Sequence, residues 1–277
     1  MFKKLYQFYL VSIIIIVIGC TKSEYSTDKE SKLADNSIDF TQIKTDSLFN
    51  SSQIISILTI PTNSLDKYDI IFSHSNLDFK TTSSFGKSVN AIAAINGGFF
   101  NMDSGGSATY FEIDDVIIAN TRNPELKWGI RKDLMNGAIV VDNESTIQIQ
   151  RANSDDYYKL SKMEEAVLVT GPLLIIKSEL MEFPNLKFVN NRHPRTCIGI
   201  TNDSIKFITI DGRSKKAQGM SLPELQEYLI SLGCIEAINL DGGGSTTLWV
   251  KNKGIVNIPS DKLGERPVSN AILIVQN

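Results

Sequence analysis

Residues 205–245 have the sequence "IKFITIDGRSKKAQGMSLPELQEYLISLGCIEAINLDGGGS". Short apolar runs rich in β-branched residues lie at both ends, and leucines recur at helical spacing between them. Ser221 and, three positions later, Glu224 form a capping box, and Gly233 is a typical helix terminator. The stretch therefore predicts a strand, a capped helix over 221–233 and a second strand.

Both predicted strands end in an Asp-Gly pair, at Asp211 and at Asp241. A strand, helix and strand in this order normally form a right-handed parallel crossover, which places both aspartates at the carboxyl ends of neighbouring strands. Ligands of open α/β sheets bind at that rim. An Asp-Gly turn is the simpler interpretation of Asp241. The three glycines that follow exceed what a turn requires, however, and they permit close approach of a ligand to main-chain N–H groups.

The remainder of the chain is rich in predicted strands, and its 42% hydrophobic content is typical of a globular protein with a core. We expect an α+β fold: a mixed, strand-rich single domain over residues 49–277, with helices packed on the sheet. Twelve short runs predict strands: "IISILTI", "YDIIFS", "AIAAIN", "GAIVV", "TIQIQ", "AVLVT", "LLIIK", "TCIGIT", "IKFITI", "AINL", "TTLWV" and "NAILIV".

The amino-terminal segment resembles a bacterial lipoprotein signal, with a positive start, an apolar stretch of secretory length and "VIGC" at 17–20. The resemblance implies that residues 1–19 are a signal peptide and that Cys20 is lipidated; an uncleaved anchor helix is the alternative. Residues 20–48 are polar and predict a flexible linker. The expected location is the cell envelope, outside the cytoplasm and lipid-anchored to a bacterial membrane.

Several classes of partner and site are disfavoured. A net charge of −3 gives no basic field for nucleic acid. Phosphate-loop and zinc motifs are absent, and a hydrolase built on Ser245 would need one of only two histidines as its base. Cys197 and Cys234 are expected as buried thiols, with a disulfide as the alternative. A divalent cation such as calcium, bound by carboxylates, stays open. Carboxylate chemistry of the kind that cleaves glycosidic bonds is the interpretation that survives.

Six motifs in this order closely resemble the phosphodiester glycosidase family: "AINGGFFN" (94–101), "TGPLL" (170–174), "RHPRTCIGI" (192–200), "ITIDGRS" (208–214), "GMSLPELQEYLISLGCIEAINLDGGGST" (219–246) and "ERPVSNAILI" (265–274). The resemblance implies hydrolysis of a sugar joined through its anomeric carbon to a phosphodiester, which releases free sugar and a phosphomonoester. It implies no required cofactor, and a sugar phosphodiester or glycan as the partner.

The resemblance also implies roles for individual residues. Asp211 and Asp241 would supply the catalytic carboxylates, without an assignment of which one attacks and which one carries protons. Arg195 and Arg266 would hold the phosphate, with structural ion pairing as the alternative. Asn96 would bind the sugar or form an Asn-Gly turn. The further substrate-binding candidates are Gly97, Gly98, Arg213, Gly242, Gly243, Gly244, Ser245 and Asn270, with Glu112 as a looser candidate because its surroundings depart from the family pattern.

Two other classes of function compete with an enzyme. A surface carbohydrate-binding lipoprotein would keep the cleft without turnover, and a weakened set of acids and bases would be expected. A structural envelope component would show no convergence of polar groups. The presence of Asp211, Asp241, Arg195 and Arg266 together favours the enzyme.

Overall fold

The computed structural model describes residues 27–28, 38–75, 78–119, 131–161 and 163–277. The predicted signal peptide, Cys20 and most of the predicted linker lie outside these ranges. The strands are β1 (Thr27–Asp28), β2 (Asp39–Thr45), β3 (Gln53–Pro61), β4 (Tyr68–His74), β5 (Ala93–Asn96), β6 (Phe111–Ile113), β7 (Val116–Ala119), β8 (Gly137–Asp142), β9 (Ile147–Arg151), β10 (Glu164–Thr170), β11 (Leu173–Ile176), β12 (Glu179–Leu180), β13 (Arg195–Ile200), β14 (Ser204–Ile210), β15 (Glu236–Asn239), β16 (Leu248–Val250), β17 (Gly254–Ile255) and β18 (Asn270–Gln276).

The helices of the described residues are short. They are α1 (Thr82–Ser88), α2 (Asp155–Leu160), α3 (Lys187–Asn190) and α4 (Leu222–Ser231), with single 3-10 turns at Leu48–Asn50, Thr62–Ser64 and Gly243–Ser245. None of the helices in this part of the chain is long and apolar enough to cross a membrane.

The strands form three antiparallel sheets. The largest has the order β1-β2-β3-β14-β13-β15-β11-β12, and the other two have the orders β7-β6-β10-β8-β9 and β17-β16-β5-β18-β4. Their inner faces share one apolar core, to which β14 contributes Phe207, β10 contributes Leu168 and β18 contributes Ile272. This architecture confirms the expected strand-rich α+β fold with helices packed on sheets.

Side-chain alternation in the large sheet separates two apolar layers. Along β14, Ile205 and Phe207 face the shared core, whereas Ile208 and Ile210 face α4. The same period of two puts Ile198 of β13 in the shared core and Cys197 under α4. This alternation decides which way the polar residues at the strand ends point.

The predicted helix is confirmed as α4. Ser221 caps it, and the capping box with Glu224 is complete in both directions. Gly233, with φ of 78°, follows the last turn. Leu222, Leu225 and Leu229 are fully buried against the large sheet.

All twelve predicted runs form strands, whereas the short strands β1, β6, β7, β12 and β17 were not predicted. The linker boundary at residue 48 is also corrected, because β2 pairs with β3 over its whole length. Ile38 and Phe40 are 1% and 6% exposed, so alternate residues of this segment enter the core. The polar residues around Ile38 and Phe40 mask that pattern when hydropathy is averaged over the segment.

The two strands on either side of α4 run in the same direction, as predicted, but they are not neighbours in the sheet. β13 lies between β14 and β15 and pairs antiparallel with both, so β14 and β15 run in the same direction. Asp211 directly follows β14, and Asp241 lies two residues beyond β15. Both aspartates therefore leave the same end of the sheet, but a strand separates them.

Candidate active site

A cavity of about 230 Å³ opens at this end of the large sheet. Three segments that are distant in the sequence meet there: the loop after β5, the glycine run after β15 and the loop before β18. Its lining residues are Phe99, Phe100, Asn101, Met102, Asp103, Asp241 and Arg266. The cavity is smaller than the roughly 300–1,000 Å³ typical of sites for drug-sized ligands, which suits a small polar substrate group.

The backbone of Asp241 is fixed on both sides. Its N–H donates to Gly97 O at 3.1 Å, and its carbonyl accepts from Asn96 Nδ2 at 2.7 Å. Asn96 Oδ1 in turn accepts from Thr196 Oγ1 at 2.9 Å and from Thr247 N at 3.0 Å. Asn96 is completely buried, so the sugar contact predicted for it is wrong. It positions Asp241 instead.

Asp241 as a residue is partly exposed, and it lines the cavity. Burial by the surrounding protein raises its pKa to about 6, against the opposing effects of Ser245, Arg266, the Gly242 amide and Arg213. The group is therefore mainly ionised at neutral pH, although burial makes the ionised form less stable than it would be in water. A carboxylate of this kind can face a developing positive charge or attack an electrophilic carbon.

Close packing explains the three glycines. A Cβ atom on Gly242 would lie 2.7 Å from Pro194 O, and one on Gly244 would lie 2.2 Å from Arg266 Nη2. Gly243 has φ of 61°, and its Cβ would lie 2.8 Å from Arg213 Nη2. Its N–H donates to Pro194 O at 2.9 Å, so this amide is not free to bind a phosphate as predicted. Gly243 and Gly244 let the guanidinium groups of Arg213 and Arg266 approach the backbone beside Asp241.

We expect Gly244→Ala to lower kcat/KM for the proposed substrate by about 10²-fold, because the added methyl group displaces Arg266 by about an ångström. Steady-state kinetics on the purified protein measures this change. Gly254→Ala is the control: its Cβ would meet open space, but its φ of 82° strains an alanine, so it should lose stability and keep kcat/KM. Equal kcat/KM for Gly244→Ala and wild type would contradict the placement of Arg266.

Two arginines supply positive charge at the cavity. Arg266 lines it and is held by Asp261, whose Oδ2 accepts from Arg266 Nε at 2.6 Å. Arg213 is exposed and lies over Gly243. Both arginines lower the pKa of Asp241, so their charges act at that carboxyl group. The arrangement brings together three of the residues predicted from the sequence.

Arg195 lies elsewhere, which corrects its prediction as a phosphate ligand. It is 1% exposed, and its guanidinium donates to the carbonyls of Met220, Phe188 and Asn191 at 2.9, 2.7 and 3.1 Å. Burial lowers its pKa to about 9. Arg195 shares the strand face of Cys197, so it points beneath α4. There it binds the carbonyls of α3, of the residue after α3 and of the residue before the N-cap of α4.

Asp211 does not line the cavity either. It is 2% exposed, and its carboxyl oxygens accept from Ile258 N at 3.0 Å and from Asn257 Nδ2 at 3.2 Å. Burial raises its pKa to about 7, against the lowering effect of these hydrogen bonds. Asp211 anchors the loop before β18, and its prediction as a second catalytic carboxylate is not supported by this geometry.

We expect Asp211→Asn to keep most of kcat/KM and to change how stability depends on pH. A folded-state pKa raised from 3.8 to about 7 gives stability that is full below about pH 4 and is lost as pH rises through about 7. Asparagine keeps an acceptor oxygen but cannot ionise. Urea unfolding from about pH 4 to pH 8 should therefore give a smaller decrease for the variant than for wild type. Equal decreases, or a loss of kcat/KM as large as at Asp241, would contradict this role.

Four of the remaining candidates support the site from behind. Asn270 is 2% exposed, and its Oδ1 accepts from Gly98 N at 2.7 Å. A Cβ on Gly97 would lie 2.1 Å from the same oxygen, so this close approach requires glycine. Ser245 is completely buried, which excludes it as a surface nucleophile or a direct substrate contact. These four residues shape the cavity without lining it.

Glu112 points away from the site. Its neighbour Phe111 faces the shared core with Leu168, which contacts Gly98, so Glu112 lies on the opposite face of its sheet. There it is 5% exposed and accepts a hydrogen bond from the hydroxyl of Tyr110. Its prediction as a substrate contact is therefore wrong.

Sequence reasoning missed most of the cavity wall. The "FFN" at the end of the first motif continues into Met102 and Asp103, and all five residues line the cavity. Asp261, the partner of Arg266, was also missed. The motif itself was the available signal, because it extends beyond Gly98.

The two cysteines of the described domain do not line the cavity. Cys197 and Cys234 are free and buried, as expected, and burial raises the pKa of Cys234 to about 11. The part of the chain that the structure describes contains no cluster of three or more His, Cys, Asp or Glu side chains suited to a metal ion.

Comparisons with known proteins agree with the motifs. The model of a family described as "Phosphodiester glycosidase" matches residues 89–275. The chain is 41% identical over 87 residues to the SPbeta prophage-derived uncharacterized protein YomE of Bacillus subtilis, covering 31% of this chain and 13% of YomE. It is 28% identical over 190 residues to human N-acetylglucosamine-1-phosphodiester alpha-N-acetylglucosaminidase, covering 65% of this chain and 36% of that enzyme.

A solved structure has the same fold. The zebrafish N-acetylglucosamine-1-phosphodiester alpha-N-acetylglucosaminidase catalytic domain, auto-inhibited by its pro-peptide, matches with a TM-score of 0.68 and 18% identity, over 91% of this chain and 88% of that one. This likeness establishes the fold. The chain spans only about a third of the human enzyme's length.

Proposed function

The chain belongs to the phosphodiester glycosidase family, and we propose that it hydrolyses the bond between the anomeric carbon of a sugar and the oxygen of a phosphodiester. The products are a free sugar and a phosphomonoester. The observation that carries the proposal is the meeting of Asp241 and Arg266 on one small cavity, with Arg213 beside them.

The two kinds of charge suit the two halves of this substrate. Arg266 offers a planar fork of donors to phosphate oxygens, and Asp261 holds that fork in place. The Asp241 carboxylate faces the anomeric carbon, where positive charge develops as the bond to oxygen breaks. Phe99 and Phe100 give the cavity an apolar wall against which a sugar ring can pack.

The leaving group determines how much acid catalysis is needed. A phosphomonoester has a second pKa of about 6, so it leaves as an anion at neutral pH without a strong acid to protonate it. Stabilisation of the departing negative charge by Arg266 and Arg213 replaces that proton. Water completes the reaction by adding to the anomeric carbon.

The substrate that we propose to test first carries α-linked N-acetylglucosamine, because the human relative is named for that sugar. The described domain is mixed with an N-acetylglucosamine phosphodiester, and both products are followed by NMR with and without a chelator. Release of free sugar and phosphomonoester supports the proposal, and the anomer formed first distinguishes retention from inversion. Binding of the phosphodiester without release of sugar supports a carbohydrate-binding protein instead. Assays with a series of other sugar phosphodiesters then test whether the enzyme acts on a different sugar.

A further inference from the structure

Asp103 is the second carboxylate on the cavity wall. Three of the described lining residues are charged, namely Asp103, Asp241 and Arg266. Asp103 comes from the loop after β5, whereas Asp241 comes from the glycine run after β15. The cavity therefore brings together two carboxylates from separate segments, in place of the pair expected at the two strand ends.

The side chain of Asp103 is available for chemistry. It is exposed, and its carboxylate forms no hydrogen bond or ion pair with any other residue that the structure describes. Asp261 also lies close to Arg266, but its carboxylate is bound to that arginine. Asp211 is sealed behind the cavity by its bonds to Asn257 and Ile258. A carboxylate without a protein partner can accept a proton from a bound water molecule.

The loop that carries Asp103 is held in place by hydrogen bonds to its backbone N–H groups. Asn101 Oδ1 accepts from the N–H groups of Asp103 and Ser104 at 2.9 and 3.2 Å. Asn101 N donates to Gly106 O at 3.1 Å, which closes the loop. Gly106 N donates to Ser269 Oγ at 3.1 Å, which ties the loop to the start of β18. These hydrogen bonds within the loop and to Ser269 fix the position of Asp103 relative to the cavity.

We propose that Asp103 is the base that activates the attacking water, an inference that rests on the proposed function. The bond between the anomeric carbon and the phosphate oxygen breaks, and its electron pair leaves with the phosphate, while Asp241 faces the carbon. The water oxygen then forms the new bond to that carbon, and the water proton passes to the Asp103 carboxylate. Because Asp103 is exposed, it returns the proton to solvent. The phosphate leaves as an anion and takes up no proton. The proton transfer to Asp103 therefore accompanies the attack of water on the anomeric carbon.

Asp103→Asn tests this assignment by kinetics with and without azide. We expect kcat/KM to fall by about 10²- to 10⁴-fold, the usual range for loss of a general base. Azide should then restore turnover and yield a glycosyl azide, because this anion needs no deprotonation before it attacks. Ser104→Ala, which changes the neighbouring exposed side chain, is the matched control and should behave as wild type.

The outcomes separate this inference from the proposed function. Wild-type rates for Asp103→Asn would overturn the role of Asp103 while leaving the hydrolysis intact. A loss of rate that azide does not restore would also overturn it, because it would indicate a structural role for Asp103. No hydrolysis of any sugar phosphodiester by the wild-type protein would overturn the proposed function itself.

Discussion

Asp241→Asn is expected to lower kcat for the sugar phosphodiester by about 10³-fold while leaving the fold intact. Asparagine keeps the shape of the side chain but removes the negative charge that faces the anomeric carbon in the transition state. Single-turnover and steady-state rates measure the loss. Binding of the intact substrate should change much less than kcat, because the lost interaction is strongest in the transition state.

The stability of this variant is a separate check. Burial raises the pKa of Asp241 to about 6, so at pH 7, above that pKa, ionised Asp241 no longer contributes the stability it has when protonated. The neutral asparagine is therefore expected to leave the melting temperature at pH 7 unchanged or higher. Asp66→Asn, at an exposed acid outside the cavity, should change neither rate nor stability. Wild-type kcat in Asp241→Asn would contradict the assignment.

Arg266→Ala is expected to lower kcat/KM by about 10²- to 10³-fold and to weaken inhibition by the phosphomonoester product. The guanidinium is the charged donor on the cavity that can bind phosphate oxygens in pairs. Arg266→Lys should recover only part of the loss, since lysine keeps the charge without the fork. Arg151→Ala, at an exposed arginine on the end of β9, serves as the charge-matched control.

Inhibition by product fragments shows whether Arg266 contacts the phosphate. If it does, Arg266→Ala weakens inhibition by inorganic phosphate and by the phosphomonoester, and it leaves inhibition by the free sugar unchanged. Asp261→Asn should show a smaller loss, because Arg266 keeps its charge and loses only its orienting partner. Equal weakening for sugar and phosphate would indicate a general collapse of the cavity and would contradict the assignment.

Much of the fold was predictable because its signals are local. The capping box of Ser221 and Glu224 and the apolar runs of the long strands depend on neighbouring residues, and the structure confirms them. β2 was missed because it contains only two apolar residues, Phe40 and Ile43, and its five polar residues lower the average hydropathy of the segment. The order of the strands in the large sheet depends on contacts distant in the sequence, so β13 between β14 and β15 was not predicted.

The site was less predictable than the fold, because it depends on contacts between segments that are distant in the sequence. Three of the candidates, Asp241, Arg266 and Arg213, lie close together in the structure. Arg195 and Asp211 were placed wrongly, because the sequence gives the alternation along a strand but does not indicate which face meets the cavity. Asp103 lies far from Asp241 in the sequence, and only the packing of separate sheets brings them to one cavity.

Hydrolysis of the sugar phosphodiester in ¹⁸O-labelled water distinguishes cleavage at the anomeric carbon from cleavage at phosphorus. If water attacks the anomeric carbon, the phosphomonoester keeps its original oxygens. Phosphorus NMR then shows no ¹⁸O-induced shift. The label then appears in the sugar when the products are analysed before the anomeric oxygen exchanges. Appearance of ¹⁸O in the phosphomonoester would mean that the phosphorus–oxygen bond is cleaved, which would contradict a glycosidase.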